Sequence, residues 1–68
     1  MLTDRDLEIL TFEDRTPRHT TAKEDRIRER WGISPARYYQ IVGSRLQEPE
    51  AVAKFPQLAN RRARRQVA

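Results

Sequence analysis

Arg37 and Gln40 lie three residues apart in the stretch SPARYYQ, which begins at Ser34. An arginine can give two hydrogen bonds to the O6 and N7 of guanine, and a glutamine pairs in the same two-pronged way with adenine. In a recognition helix docked by its N-terminal half, these two are the candidates for reading base edges in double-stranded DNA. Ser34, Tyr39, Ser44 and Arg45 carry hydroxyl and guanidinium groups of the kind that hold phosphates. Arg61, Arg62, Arg64 and Arg65 follow in a segment with no acid after Gln57, and such a run adds affinity by displacing counterions from a polyanion. RNA would accept the same run, since arginine-rich segments bind it as well.

Covalent and metal chemistry find less to work with. There is no cysteine, hence no thiolate nucleophile, no zinc thiolate and no disulfide. The single histidine, His19, sits among threonines, where exposure to solvent is expected. No glycine-rich phosphate loop is present and no carboxylates cluster at ligand spacing. Asp4, Asp6 and Glu8 are explained as charges at the start of a helix. The residues therefore predict a protein that is not an enzyme and takes no cofactor or metal. No apolar run approaches the ~20 residues needed to span a bilayer, and the acidic start is unlike a signal peptide. A cytoplasmic, nucleoid-associated protein with no membrane partner is the expectation.

Charge is distributed unevenly along the 68 residues, whose net charge is +4 at pH 7. Met1 to Asp14 has one base against five acids, whereas Arg15 to Pro56 has nine bases against five acids. An acidic beginning followed by a basic middle and end suits a polyanion bound by the later part of the chain. A run of charge on a small helical protein also serves simply as a solvated face.

These residues must be positioned by helices, because the apolar pattern has no strand-like alternation. The stretch LTDRDLEILTFED predicts a helix capped by Thr3 and ending near Asp14, with Leu7, Ile9, Leu10 and Phe12 on its inner stripes. RTPRHTT reads as a loop. Thr21 precedes Glu24 by three residues, the spacing of a capping box, and so should open a second helix. Its buried stripe is Ala22 or the stem of Lys23, then Ile27 and Trp31. Gly32 ends it in a left-handed conformation and Ile33 plugs the turn. Ser34 as cap and Pro35 at the first helical position start a third helix, which runs to about Leu46. A fourth short helix, PEAVAKF, would send Val52 and Phe55 to the core, and QLANRRARRQV continues as a helix or frayed tail.

Two steeply crossed helices joined by a tight glycine turn make a helix-turn-helix. Ile27, Trp31, Gly32, Ile33, Tyr38 and Ile41 supply its inner positions. Arg28 stands where a small residue usually permits close contact, so either its stem bends away or the two helices cross more loosely than usual. At about 100° per residue, Tyr38, Ile41, Val42 and Arg45 face inward on the third helix. Ala36, Gln40, Gly43, Ser44 and Gln47 face outward, with Arg37 and Tyr39 on the flanks. No acid occurs between Ser34 and Gln47, as entry into a major groove requires. The predicted architecture is all-α: a helix-turn-helix domain of three to four helices over residues 1–56, with its recognition helix at about 35–46. A basic tail over residues 57–68 completes it.

Each functional assignment has a plainer counterpart. Trp31 and Tyr38 are expected in the core. Tyr39 packs on the fourth helix or faces a partner, and Gln40 and Arg37 are ordinary surface residues if no DNA binds. A domain this small covers few base pairs, so a homodimer or a tethering partner would raise affinity. Val52, Phe55 and Leu58 would serve a dimer, or belong to the core. The alternative function is a protein-interaction module, in which the acidic first helix docks on RNA polymerase or the chain inhibits another host protein.

Two resemblances bear on these readings. LTDRDLEIL followed by a turn reading GIS resembles the four-helix DNA-binding domains of sigma factors, in their region four, and of LuxR-type response regulators. More of the chain is similar to a family of small actinobacterial and actinobacteriophage proteins of unknown function. That likeness is carried by DRDLEIL, KE-x-x-IRE and GIS-x-x-RYYQ, whose last block is Arg37, Tyr38, Tyr39 and Gln40. It implies a helical fold and a small regulatory protein of bacterial or phage origin.

Overall fold

Thr3 begins the first helix by a reciprocal exchange with Asp6. The Asp6 backbone N–H donates to Thr3 Oγ1, and the Thr3 N–H donates to Asp6 Oδ2, each at 3.0 Å. This satisfies two donors that a helix start otherwise leaves open. The computed structural model describes the backbone of residues 1–66 and the side chains of residues 1–62. The described residues form five helices and no strand: α1 (Asp4–Arg15), α2 (Thr21–Trp31), α3 (Pro35–Arg45), α4 (Pro49–Lys54) and α5 (Pro56–Gln66). The protein is all-α, as the pattern of its apolar residues requires.

The start of α2 differs from expectation by one residue. Thr20, not Thr21, is the cap, and its side chain accepts from the Lys23 N–H at 3.1 Å. On the helix that Thr20 caps, Lys23 and Ile27 are buried and Ala22 is exposed. At the other end Gly32 takes φ 64°, the left-handed conformation that ends a helix without the steric cost a Cβ would bring. Ser34 then caps α3 by accepting from the Arg37 N–H at 3.1 Å, with Pro35 at the first turn.

The core is built from Ile9 and Leu10 of α1, Ile27 of α2, and Tyr38 and Val42 of α3, with Leu46, Ala51 and Leu58 closing it. Trp31, Ile33, Ile41 and Phe55 pack against its edge, half-buried. On α4 the expected Val52 is 41% exposed and Ala51 is buried in its place, because a helix this short presents one narrow face and Ala51 occupies it. Pro49 and Pro56 each occupy the first turn of a helix, where the missing N–H costs nothing. Leu58 is 4% exposed, so the basic last helix is anchored in the same core as the rest.

Candidate functional site

Helix α3 presents Ala36, Arg37, Gln40 and Ser44 to solvent, and Gln47 is exposed in the turn that follows it. Arg37 Nη1 donates to Gln40 Oε1 at 3.5 Å, so the two candidate base-reading side chains lie together on its first half. No acid stands on this face. Ser34 is exposed at the helix start, with its hydroxyl engaged in the cap. Ser44 is exposed one turn beyond Gln40.

The other predicted contact residues are placed differently. Arg45 leans back over α1, its Nε 3.1 Å from Asp6 Oδ2 and its Nη1 3.5 Å from Glu48. Arg61 Nη2 lies 3.4 Å from Asp14 Oδ1. Both cations are therefore already matched by carboxylates. Tyr39 turns to the first loop, its hydroxyl 2.7 Å from His19 Nδ1 and the two rings edge to face at 4.9 Å. His19, expected simply in solvent, is thus exposed but held. Gly43, expected to face outward, instead forms a seat for Arg62. A Cβ there would overlap the Arg62 guanidinium, and Arg62 Nε is buried without a hydrogen-bond partner. Arg64 and Arg65 lie outside the residues whose side chains are described. Arg28 does not enter the α2–α3 crossing; it is exposed and pairs with Asp25 at 3.5 Å.

Beneath α3 lies a group of charges that periodicity alone did not reveal. Lys23 Nζ is 2.7 Å from Glu13 Oε1, with side chains only 1% and 8% exposed. The Tyr38 hydroxyl donates to the same carboxylate at 2.9 Å and lies 3.5 Å from the Ile9 carbonyl oxygen. The Lys23 ammonium also stands 5.4 Å from the centre of the Tyr39 ring, close enough for cation–π attraction. Burial, then the Glu13 charge beside it, pushes the Tyr38 hydroxyl far above its usual pKa, so it remains a donor. Glu13, Lys23 and Tyr38 come from α1, α2 and α3 respectively. Their meeting fixes the rotation of α3 about its own axis and so selects which of its side chains face out. The signal for Lys23 was its place one turn before Ile27. Nothing local distinguishes Glu13 from an ordinary surface acid.

A second buried carboxylate secures the other end of α1. Burial works to raise the Asp6 pKa, but the Thr3 backbone hydrogen bond, the Arg45 guanidinium and the Thr3 side chain outweigh it and hold the carboxyl below its ordinary value. Arg45 thereby braces α3 against α1. Among the described residues no group of three or more His, Cys, Asp or Glu is arranged to hold a metal ion, and no helix is long and apolar enough to cross a membrane.

A family model described as a protein of unknown function, DUF3263, matches residues 1–68. No curated protein and no solved structure matches the chain.

Proposed function

The chain belongs to the DUF3263 family of proteins of unknown function, and from that premise we propose that it is a DNA-binding protein in which α2, Gly32 and α3 form a helix-turn-helix. The observation that carries this reading is the exposed face of α3, free of acids and bearing Arg37 and Gln40 in contact. In the major groove Arg37 pairs with guanine and Gln40 with adenine, and the N-terminal half of the helix enters first, as in other recognition helices. Ser34 and Ser44 approach phosphates on either side. Arg62 is the basic group beside this face, across Gly43, and Arg64 and Arg65 extend the same basic run. Arg45, Arg61 and Tyr39 have partners within the fold, so their part is to hold α3 and α5 in place. The small size suits a transcriptional regulator of bacterial or phage origin that gains affinity from a second copy or from a tethering protein.

A gel shift with random duplex DNA at about 50 mM and 200 mM salt tests the reading. Several phosphate contacts make affinity fall more than about tenfold over that range. Arg37→Ala combined with Gln40→Ala is expected to weaken binding at both concentrations. No shift by the wild-type chain at the lower salt would overturn the proposal.

A further inference from the structure

A groove of about 450 Å³ runs between α1 and α2, and none of its lining residues comes from α3. Its floor is apolar, formed by the half-buried Leu7 and Phe12, with the Phe12 ring braced edge-on by Trp31 at 5.4 Å. Arg15 closes one end, and Arg26 and Arg30 line the α2 side. Arg30 is matched by Glu8 at 3.6 Å and lies over the Trp31 ring at 5.2 Å. Arg15 and Arg26 are different: among the described residues neither makes an ion pair. A smaller hollow of about 330 Å³ continues from Phe12 along Arg26 and Arg30 to Glu29.

We propose that this groove docks a short acidic segment of a partner protein, one that places an apolar side chain on Leu7 and Phe12 and carboxylates against Arg15 and Arg26. Charge complementarity selects the occupant. Two unmatched guanidinium groups beside an apolar floor favour an anion that also carries a greasy side chain. Nucleic acid fits less well, because its evenly spaced phosphates would meet the Glu8 and Glu29 carboxylates on the rims. A peptide sets its carboxylates at discrete positions and leaves neutral residues opposite those two acids. Arginine also offers a fork that matches a carboxylate with two hydrogen bonds, which gives the contact direction as well as charge. The surface is separate from the exposed face of α3, so this inference goes beyond DNA binding and stands without it. If both readings hold, the chain joins an acidic protein segment to DNA.

The test uses the full chain and a short fluorescein-labelled peptide in which aspartates flank a leucine and a phenylalanine. Its controls are one peptide with each aspartate replaced by asparagine and another with both apolar residues replaced by serine. Fluorescence anisotropy should show saturable binding of the first peptide, weaker by about tenfold or more for either control. Arg15→Ala combined with Arg26→Ala should lose the peptide to the same extent, while its helical circular dichroism and its gel shift with duplex DNA remain those of the wild type. The proposal is overturned if the aspartate and asparagine peptides bind alike, or if the double variant binds the peptide as the wild type does. It is also overturned if the double variant loses DNA instead of peptide, which would make the groove a nucleic-acid contact. A wild-type dimer that becomes monomeric in the double variant, with no peptide bound by either, would assign the groove to a second copy and overturn it as well.

Discussion

Lys23 and Glu13 are two charges that water would solvate well, yet they meet in the interior of a domain with only a thin core. Removing both is often tolerated, whereas removing one leaves an uncompensated buried charge and costs about 3–5 kcal/mol. A chain of this length has about 3–10 kcal/mol of stability in all. Lys23→Met should therefore lose a large part of that stability in urea unfolding, while adding Glu13→Gln to it recovers most of the loss, because the amide oxygen still accepts from Tyr38. A single variant as stable as the wild type would show that the pair does not organise the core. Asp6 makes a prediction with pH. Its carboxyl is held below the ordinary aspartate value, so its contribution is present in full above the unfolded pKa of about 3.9 and is lost as pH falls through the lowered folded value. Asp6→Asn should have a lower melting temperature at about pH 6, and the gap to wild type should narrow toward about pH 2. A gap that stays constant with pH would separate Asp6 from the acid response. Neither carboxylate was recognisable in the sequence as a buried group. Asp6 has all the marks of an acid in the first turn of a helix, and Glu13 those of a surface acid. What buries them is the arrival of Arg45 and Lys23 from distant parts of the chain.

Helix termini were far easier to read, because their causes are local. Thr3, Gly32, Ser34 and Pro35 each meet a requirement of the residues beside them: α1 begins at Thr3, α2 ends at Gly32 and α3 begins at Ser34 and Pro35. The exception is instructive. Thr20 and Thr21 are chemically equivalent caps, and the spacing of Thr21 to Glu24 favoured the second. The structure has Thr20 as the cap, accepting from the Lys23 N–H, and nothing in the chemistry of the two side chains alone selects it. Val52 and Ala51 pose the same difficulty: on a helix of six residues the larger apolar side chain is the natural choice, and only the neighbouring helices determine which position is covered. The two glycines separate local from tertiary causes experimentally. Gly32→Ala should cost about 1–2 kcal/mol, because its left-handed conformation opposes any Cβ. Gly43→Ala lies within a regular helix, where alanine is favoured by up to about 1 kcal/mol, and the group it displaces is the movable end of Arg62. Urea unfolding midpoints should move in opposite directions for the two variants. A loss at Gly43 as large as that at Gly32 would mean that Arg62 in its seat stabilises the fold more than helix propensity does.

At the scale of the whole molecule, the charges fall into an order that the linear sequence only partly disclosed. The acidic character of α1 is largely consumed within the fold: Asp6 meets Arg45, Glu8 meets Arg30, Glu13 meets Lys23 and Asp14 meets Arg61. These pairings need contacts between residues many positions apart, so counting charge by segment could show the imbalance but not its resolution. They leave Arg37 beside Gln40 on one side and Arg15 with Arg26 on another, and the central claim is that the first of these faces reads DNA. Nuclear magnetic resonance tests it most directly, by following the backbone amides of an isotope-labelled chain as random duplex DNA is added. The account predicts that the amides of Ser34, Ala36, Arg37, Gln40 and Ser44 shift first and furthest, while those of Leu7, Thr11 and Arg26 barely move. Shifts concentrated along α1 and α2, or no shifts at low salt, would contradict it.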